Sequence, residues 1–344
     1  MKFGVFFFSS LSLGGETGGY DLMMEVARMA DSAGFVAVWT PERHFDPFGG
    51  LFPNPALTSA ALAMATQRLQ LRAGSVVSPL HDAVRLAEDW SVVDNLSGGR
   101  AAVSFASGWH PNDFVLAPAN FQDRVEIMFA QIAEIRDLWR SRRFRRTNPV
   151  GQAAELNLYP APVQADLPIW VTSGGNARTF ERAGEIGANV LTHLISQSVD
   201  ELADRVRTYR AGRARCPAPS DQAIVSVMLH AYVGESVEAV RAEVRPPLKE
   251  YLRSAARLVQ STFALSGVPD DDDDLPADAI EEMLEITFDR YFEHSSLLGS
   301  EDKIRRTLDR LDAIGVNEVA CLVDFGLSRE QVLRSMERLC RLAG

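Results

Sequence analysis

LRAGSVVSPLHDAVRLAEDWSVVDNLSGGRAAVSFA, residues 71–106, is the stretch whose reading decides the fold. Residues 71–77 form a short apolar run with two consecutive valines, which reads as a buried strand. Residues 83–96 then carry apolar side chains at helical spacing, Gly98-Gly99 breaks the helix, and 101–106 is a second apolar strand. Two continuous apolar strands joined by a helix imply a parallel pair covered on both faces.

The same unit repeats in both directions. Upstream, strands are expected at 3–8 (FGVFFF) and 35–39 (FVAVW), with helices at 20–32, closed by Gly34, and at 55–66. Downstream come a long helix at 121–139, a strand at 168–172, a helix at 177–186, a strand at 189–191 and a helix at 200–209. A strand at 224–233, a mostly helical stretch at 237–259, a strand at 318–323 (EVACLV) and a helix at 329–342 complete the series. Eight strands, each followed by a helix, favour a single closed (β/α)8 TIM barrel over an open doubly wound sheet. Two insertions are expected in it. Residues 142–167 are polar and contain proline, too long for a plain loop, and 265–299 hold five consecutive aspartates, Asp270 to Asp274. That run reads as a solvated loop rather than a calcium site. No internal repeat or linker divides residues 1–344, so one domain is expected.

Composition narrows the class. The chain has 344 residues, 46% hydrophobic and 24% charged, enough for one α/β barrel of about 250 residues with insertions. A net charge of −11 argues against binding nucleic acid through its phosphates. Cys216, Cys321 and Cys340 are too scattered for a disulfide framework, which suits a reducing compartment. No apolar stretch approaches the roughly 18 residues of a membrane span, and the start on a strand-like run does not read as a leader. We therefore expect a cytoplasmic protein with neither membrane nor nucleic-acid partners.

In such a barrel the chemistry belongs at the C-terminal ends of the strands. The second strand runs into Thr40-Pro41-Glu42-Arg43-His44-Phe45, which places a titratable ring between charged and aromatic neighbours. The third ends at Ala73-Gly74-Ser75-Val76-Val77, small residues that let backbone approach a flat ring. The fourth ends at Ala106-Ser107-Gly108-Trp109-His110, with a second imidazole. The fifth ends at Thr172-Ser173-Gly174-Gly175-Asn176, directly before a helix. That turn reads either as a phosphate site, with Thr179 adding a hydroxyl, or as an ordinary turn with an asparagine cap. The six histidines show no HxxxH or HxH spacing, so no metal site is expected. Neither a Walker loop, a GxGxxG fingerprint nor a GxSxG elbow is present. Arg140, Arg142, Arg143, Arg145 and Arg146 form a basic cluster, read either as helix-terminal cations or as a dock for an acidic carrier protein.

Taken together, FGVFFF, WTPERHF, the 71–100 block, VSFASGW, GWHPNDF and LPIWVTSGGNARTF closely resemble the bacterial-luciferase-like flavin monooxygenases. Within them the likeness is to the branch found with nonribosomal-peptide and polyketide assembly lines, and it extends over nearly the whole chain. The resemblance implies an FMN-dependent monooxygenase, using reduced FMN supplied by a separate flavin reductase to activate O2 at flavin C4a. It implies a non-prolyl cis peptide at Gly74–Ser75 against the flavin ring, Ala106 beneath C4a with Ser107 beside it, and the FMN phosphate at Ser173, Gly174, Gly175, Asn176 and Thr179. Luciferases carry arginine at the position of Ser107 and two consecutive histidines where this chain has Arg43-His44. The catalytic candidates are accordingly His44 as acid–base group, Arg43 as a cation for an anion formed at the flavin or for a substrate carboxylate, and His110. The expected substrate is an acyl or aminoacyl intermediate of secondary metabolism, small or tethered to a carrier protein, and the expected assembly is a homodimer. Two other readings share these residues: a deazaflavin-dependent hydride-transfer enzyme, and a flavin-binding partner subunit without chemistry. The imidazoles at strand ends count against the second.

Overall fold

The computed structural model describes residues 1–8, 19–217, 223–265 and 277–343. The aspartate run at 270–274 lies outside them. From the N-terminus the elements are β1 (Lys2–Phe6), α1 (Gly19–Ser32), β2 (Ala37–Thr40), α2 (Pro55–Ala65), β3 (Gln70–Val77), α3 (Ala83–Ser97) and β4 (Ala101–Ala106). Next come α4 (Arg124–Ser141), β5 (Arg143–Thr147), β6 (Ala153–Asn157), β7 (Ile169–Thr172), α5 (Ala177–Glu185), β8 (Asn189–His193) and α6 (Val199–Ala214). The chain continues through β9 (Val225–Val233), α7 (Val237–Leu265), α8 (Ala277–His294), β10 (Leu297–Gly299), α9 (Glu301–Ala313), β11 (Glu318–Leu322) and α10 (Arg329–Ala343).

Eight of these strands close into a barrel in the order β1-β2-β3-β4-β7-β8-β9-β11, and β11 returns to β1 with Lys2 opposite Glu318 and Phe6 opposite Leu322. Every pairing in the ring is parallel. The parallel arrangement explains the strands' continuous apolar character: β2, β9 and β11 are buried at every position, because helices cover the outside and side chains fill the inside. Helix starts follow local chemistry. Asn54 Oδ1 accepts the amides of Ala56 and Leu57 ahead of α2, Asp82 caps α3, and Ser198 with Glu201 forms a capping box on α6. Gly98, at φ +66°, supplies the left-handed residue that ends α3.

The barrel interior contains a buried ion pair. Arg72 of β3 meets Glu318 of β11 with Nη1–Oε2 at 2.6 Å and Nη2–Oε1 at 3.3 Å. Its guanidinium carbon lies 4.7 Å from the Trp39 ring and 4.1 Å from that of Trp170. Ser226 donates to Glu318 and accepts from Trp170 Nε1, so the carboxylate is satisfied from β9 as well.

Both irregular stretches contain regular structure. Within 142–167, β5 and β6 form an antiparallel hairpin, with Arg143 opposite Asn157. The basic cluster sits on the end of α4 and on this hairpin, exposed, with four of its five arginines paired: Arg140 with Asp166, Arg143 and Arg145 with Glu155, Arg146 with Asp82 and Glu134. Much of its charge is thus balanced within the chain. Around the second stretch, α8 leads to β10, which extends the end of β9 from outside the barrel by pairing Leu297 with Ala231. Helix α9 then fills the region before β11, so the seventh strand is followed by three helices rather than one. No described helix is long and apolar enough to cross a membrane.

Candidate functional site

The loop after β2 draws three ionisable side chains inward. Glu42 Oε1 meets His44 Nε2 at 2.9 Å and His81 Nε2 at 2.6 Å, while Glu42 Oε2 accepts the Val77 amide at 2.7 Å. Burial opposes the Glu42 charge, but these bonds outweigh it and hold the carboxyl below its ordinary range. For His81 burial likewise disfavours the cation, and the Glu42 carboxylate reverses this, raising its pKa. Arg43 turns the other way: Nη1 lies 2.6 Å from Asp113 Oδ2, both side chains are buried, and the guanidinium carbon is 5.7 Å from the Trp109 ring. Burial pulls the Arg43 pKa down and pushes that of Asp113 up. His110 is buried beside them, its Nδ1 accepting the Asn112 amide at 3.3 Å at the start of a 3-10 turn. Burial and the Arg43 charge lower its pKa. The three catalytic candidates therefore share one corner of the mouth in different settings. His44 is held by a carboxylate, Arg43 is engaged by Asp113, and His110 serves a local turn.

The ends of β3 and β4 form the next part of the rim. The Gly74–Ser75 peptide is cis, in agreement with what the resemblance implies. A Cβ on Gly74 would stand 2.7 Å from the Phe6 ring, so packing requires glycine there. Gly108 has φ +75°, and a Cβ on it would stand 2.7 Å from Val77. Ser75 Oγ and Ser104 Oγ each lie 2.6 Å from Thr172 Oγ1, a half-buried hydroxyl chain running from β3 and β4 to β7. Ala106 closes β4, and Ser107 Oγ turns back on the Gly108 carbonyl at 3.3 Å.

Beyond Thr172 the chain makes the glycine turn and enters α5. Asn176 Oδ1 accepts the Thr179 amide at 3.1 Å, and Ser173 Oγ accepts the Gly175 amide at 3.4 Å. Gly175 takes φ +122°, open to glycine alone, and its carbonyl is held by Arg205 Nε at 2.7 Å. Ser196 donates to the Gly174 carbonyl at 2.9 Å. The donor set fits a phosphate. Residues 172–180 contain no carboxylate, α5 begins directly after the turn, and hydroxyls flank its start at Ser173 and Thr179. The asparagine cap coexists with this arrangement, so the two sequence readings of the turn do not exclude each other.

A buried aromatic cluster packs around β9. His230 of β9 is fully buried, its Nδ1 2.8 Å from the Tyr291 hydroxyl and its ring edge-on to Tyr251 and Phe325. Tyr251 in turn packs on Phe48, and Phe48 on Phe8. Burial depresses His230 to about 3 and His193 to about 4, so both are neutral imidazoles at neutral pH. No cluster of three or more potential metal ligands occurs among the described residues.

Sequence reasoning missed Glu42, His81 and Asp113. Glu42 lies inside a motif that was read for its histidine, and its partners come from the end of another strand; only the coincidence of two strand-end histidines with one strand-end carboxylate could have signalled it.

The family model described as luciferase-like monooxygenase matches residues 1–318. The oxygenase component of flavin-dependent trigonelline monooxygenase from Acinetobacter baylyi is 25% identical over 330 residues, 93% of this chain and 88% of the relative. Among solved structures, monooxygenase RslO1 from Streptomyces bottropensis aligns with a TM-score of 0.79 at 20% identity, covering 99% of this chain and 98% of its own. The oxygenating constituent of 3,6-diketocamphane monooxygenase from Pseudomonas putida, in complex with FMN, aligns at 0.76 and 16% identity, covering 100% and 97%. At these identities the structural likenesses establish the barrel.

Proposed function

This chain belongs to the luciferase-like monooxygenase family and is a flavin-dependent oxidoreductase; on that premise we propose that it is the FMN-dependent oxygenase of a two-component system. A separate flavin reductase supplies reduced FMN, and one oxygen atom of O2 enters an acyl or aminoacyl intermediate of secondary metabolism, free or carrier-bound. The observation that carries the reading is continuity at one mouth. Glu42 ties His44 to the end of β3 through Val77, and Ser75 ties β3 to the phosphate-suited turn through Thr172.

When bound, reduced FMN supplies the electrons that activate O2. The protein's part is position and proton control. The turn at Ser173, Gly174, Gly175 and Asn176, with Thr179, holds the phosphate, and backbone at Gly74, Ser75, Ala106 and Ser107 carries the ring. Because Glu42 faces Nε2 of His44, the neutral ring keeps its proton there and presents Nδ1 as the base. Arg43, positioned by Asp113, is the cation offered to a substrate carboxylate. Exposed Leu57, Met64, Val92 and Leu96 on α2 and α3 supply surface for a homodimer. The test is oxygen consumption and product formation with reduced FMN, beside hydride transfer with reduced deazaflavin. Turnover only with the deazaflavin overturns the proposal.

A further inference from the structure

The reading above uses only one side of Glu42. On the other side His81, Asp89, Asn54 and Trp90 line a cavity of about 30 Å³ with it, room for a water molecule. One carboxylate oxygen thus faces two imidazoles, one toward the mouth and one toward this cavity, at 2.9 and 2.6 Å. The two rings differ in access: the His81 side chain is 30% exposed and that of His44 is 12% exposed.

We propose that His44, Glu42 and His81 form a proton path between the barrel mouth and this side cavity, with His81 as the point of exchange with water. With His81 protonated, the Nε2 proton of each ring stays hydrogen-bonded to Glu42 Oε1. A proton accepted at His44 Nδ1 makes that ring the cation paired with the shared carboxylate, and His81 answers by releasing its Nδ1 proton to water. One proton enters as one leaves, no electrons move, and the reverse sequence delivers a proton to the mouth. Such a route serves a site whose mouth is covered by substrate, because exchange with water does not pass through the reacting centre. Asp89 of α3, itself paired with Arg85, faces His81, while Arg43, Asp46 and Asp113 surround the His44 end. The net negative setting of Glu42 and Asp89 favours a protonated His81, in keeping with its raised pKa. Glu42 and His81 act through His44, as positioning and relay residues, and the proposal rests on reading His44 as the proton-transfer group.

The test begins with ring-nitrogen NMR titration of His44 and His81 in the flavin-free full chain. Groups coupled through one carboxylate titrate together in two steps. The expected result is that His81→Gln, at a partly exposed site, simplifies the His44 curve, and that Glu42→Gln does the same. A His44 curve unchanged in both variants overturns the path. In the loaded enzyme His81→Gln should lower product formation at least about tenfold, and added imidazole should restore it. Lost activity that imidazole leaves unrestored contradicts the exchange role. Failure of the His44 reading looks different: His44→Ala would then oxygenate at the wild-type rate while the coupling persists.

Discussion

Ser75 Oγ lies 2.6 Å from Thr172 Oγ1, so a single half-buried hydroxyl contact fixes the distance between the end of β3 and the turn that follows β7. Ser104 meets the same oxygen from β4 at 2.6 Å, which ties three adjacent strands at their C-terminal ends. The proposed ring bed and phosphate turn are thereby parts of one rigid rim, although they are about a hundred residues apart in sequence.

Thr172→Val keeps the side-chain shape and removes that oxygen. Two buried serine hydroxyls would each lose a partner, a cost of about 1–2 kcal/mol in stability. Urea unfolding should show the lower midpoint, and a flavin titration should show weaker FMN binding. An unaltered FMN affinity would mean that the rim does not set the flavin site.

Thr179→Ala should weaken FMN binding by about 1–2 kcal/mol, the worth of a hydrogen bond to a charged phosphate. Riboflavin lacks the phosphate, so its affinity should not change with the substitution. Equal losses for both ligands would move the phosphate away from α5.

Replacing Glu318 by Gln leaves Arg72 charged and buried between two tryptophans. Breaking a buried pair from one side costs about 3–5 kcal/mol, to be read from denaturant unfolding. The pH dependence has a definite sign. Burial disfavours the Glu318 carboxylate, but Arg72 and Ser226 together hold its pKa below the ordinary value. Its contribution is present above the unfolded carboxyl pKa and is lost as pH falls through the lower folded value. Wild type should therefore lose stability on acidification in a range where Glu318→Gln has none of that term left to lose.

The barrel was legible because its strands are apolar runs cut by glycine and separated by helical periodicity, as in 71–106. The hairpin Arg143–Asn157 was not legible, because nearly all its residues face solvent and no apolar alternation marks either strand. Helix α9 falls between the second irregular stretch and the last apolar strand, where no element was expected, and β10 is only Leu297–Gly299. At the site, Gly74, Gly175 and His44 announce themselves by residue type at strand ends. The pair Arg72–Glu318 does not, since its partners are 246 residues apart and charges are not expected inside a barrel. For the same reason Asp113 could not be matched to Arg43 before the fold brought their loops together.

The most direct measurement is oxygenated product and H2O2 determined together for His44→Ala beside wild type, with reduced FMN in excess. Acid–base groups contribute about 10²–10⁴ in rate. Product should fall at least about tenfold, H2O2 should rise as oxygen use becomes unproductive, and FMN affinity should stay at the wild-type value. His110→Ala, which removes a buried turn cap, should cost stability while product and peroxide remain in their wild-type ratio. Product at the wild-type level in His44→Ala, or uncoupling in His110→Ala alone, would contradict the assignment of proton control to the Glu42–His44 corner.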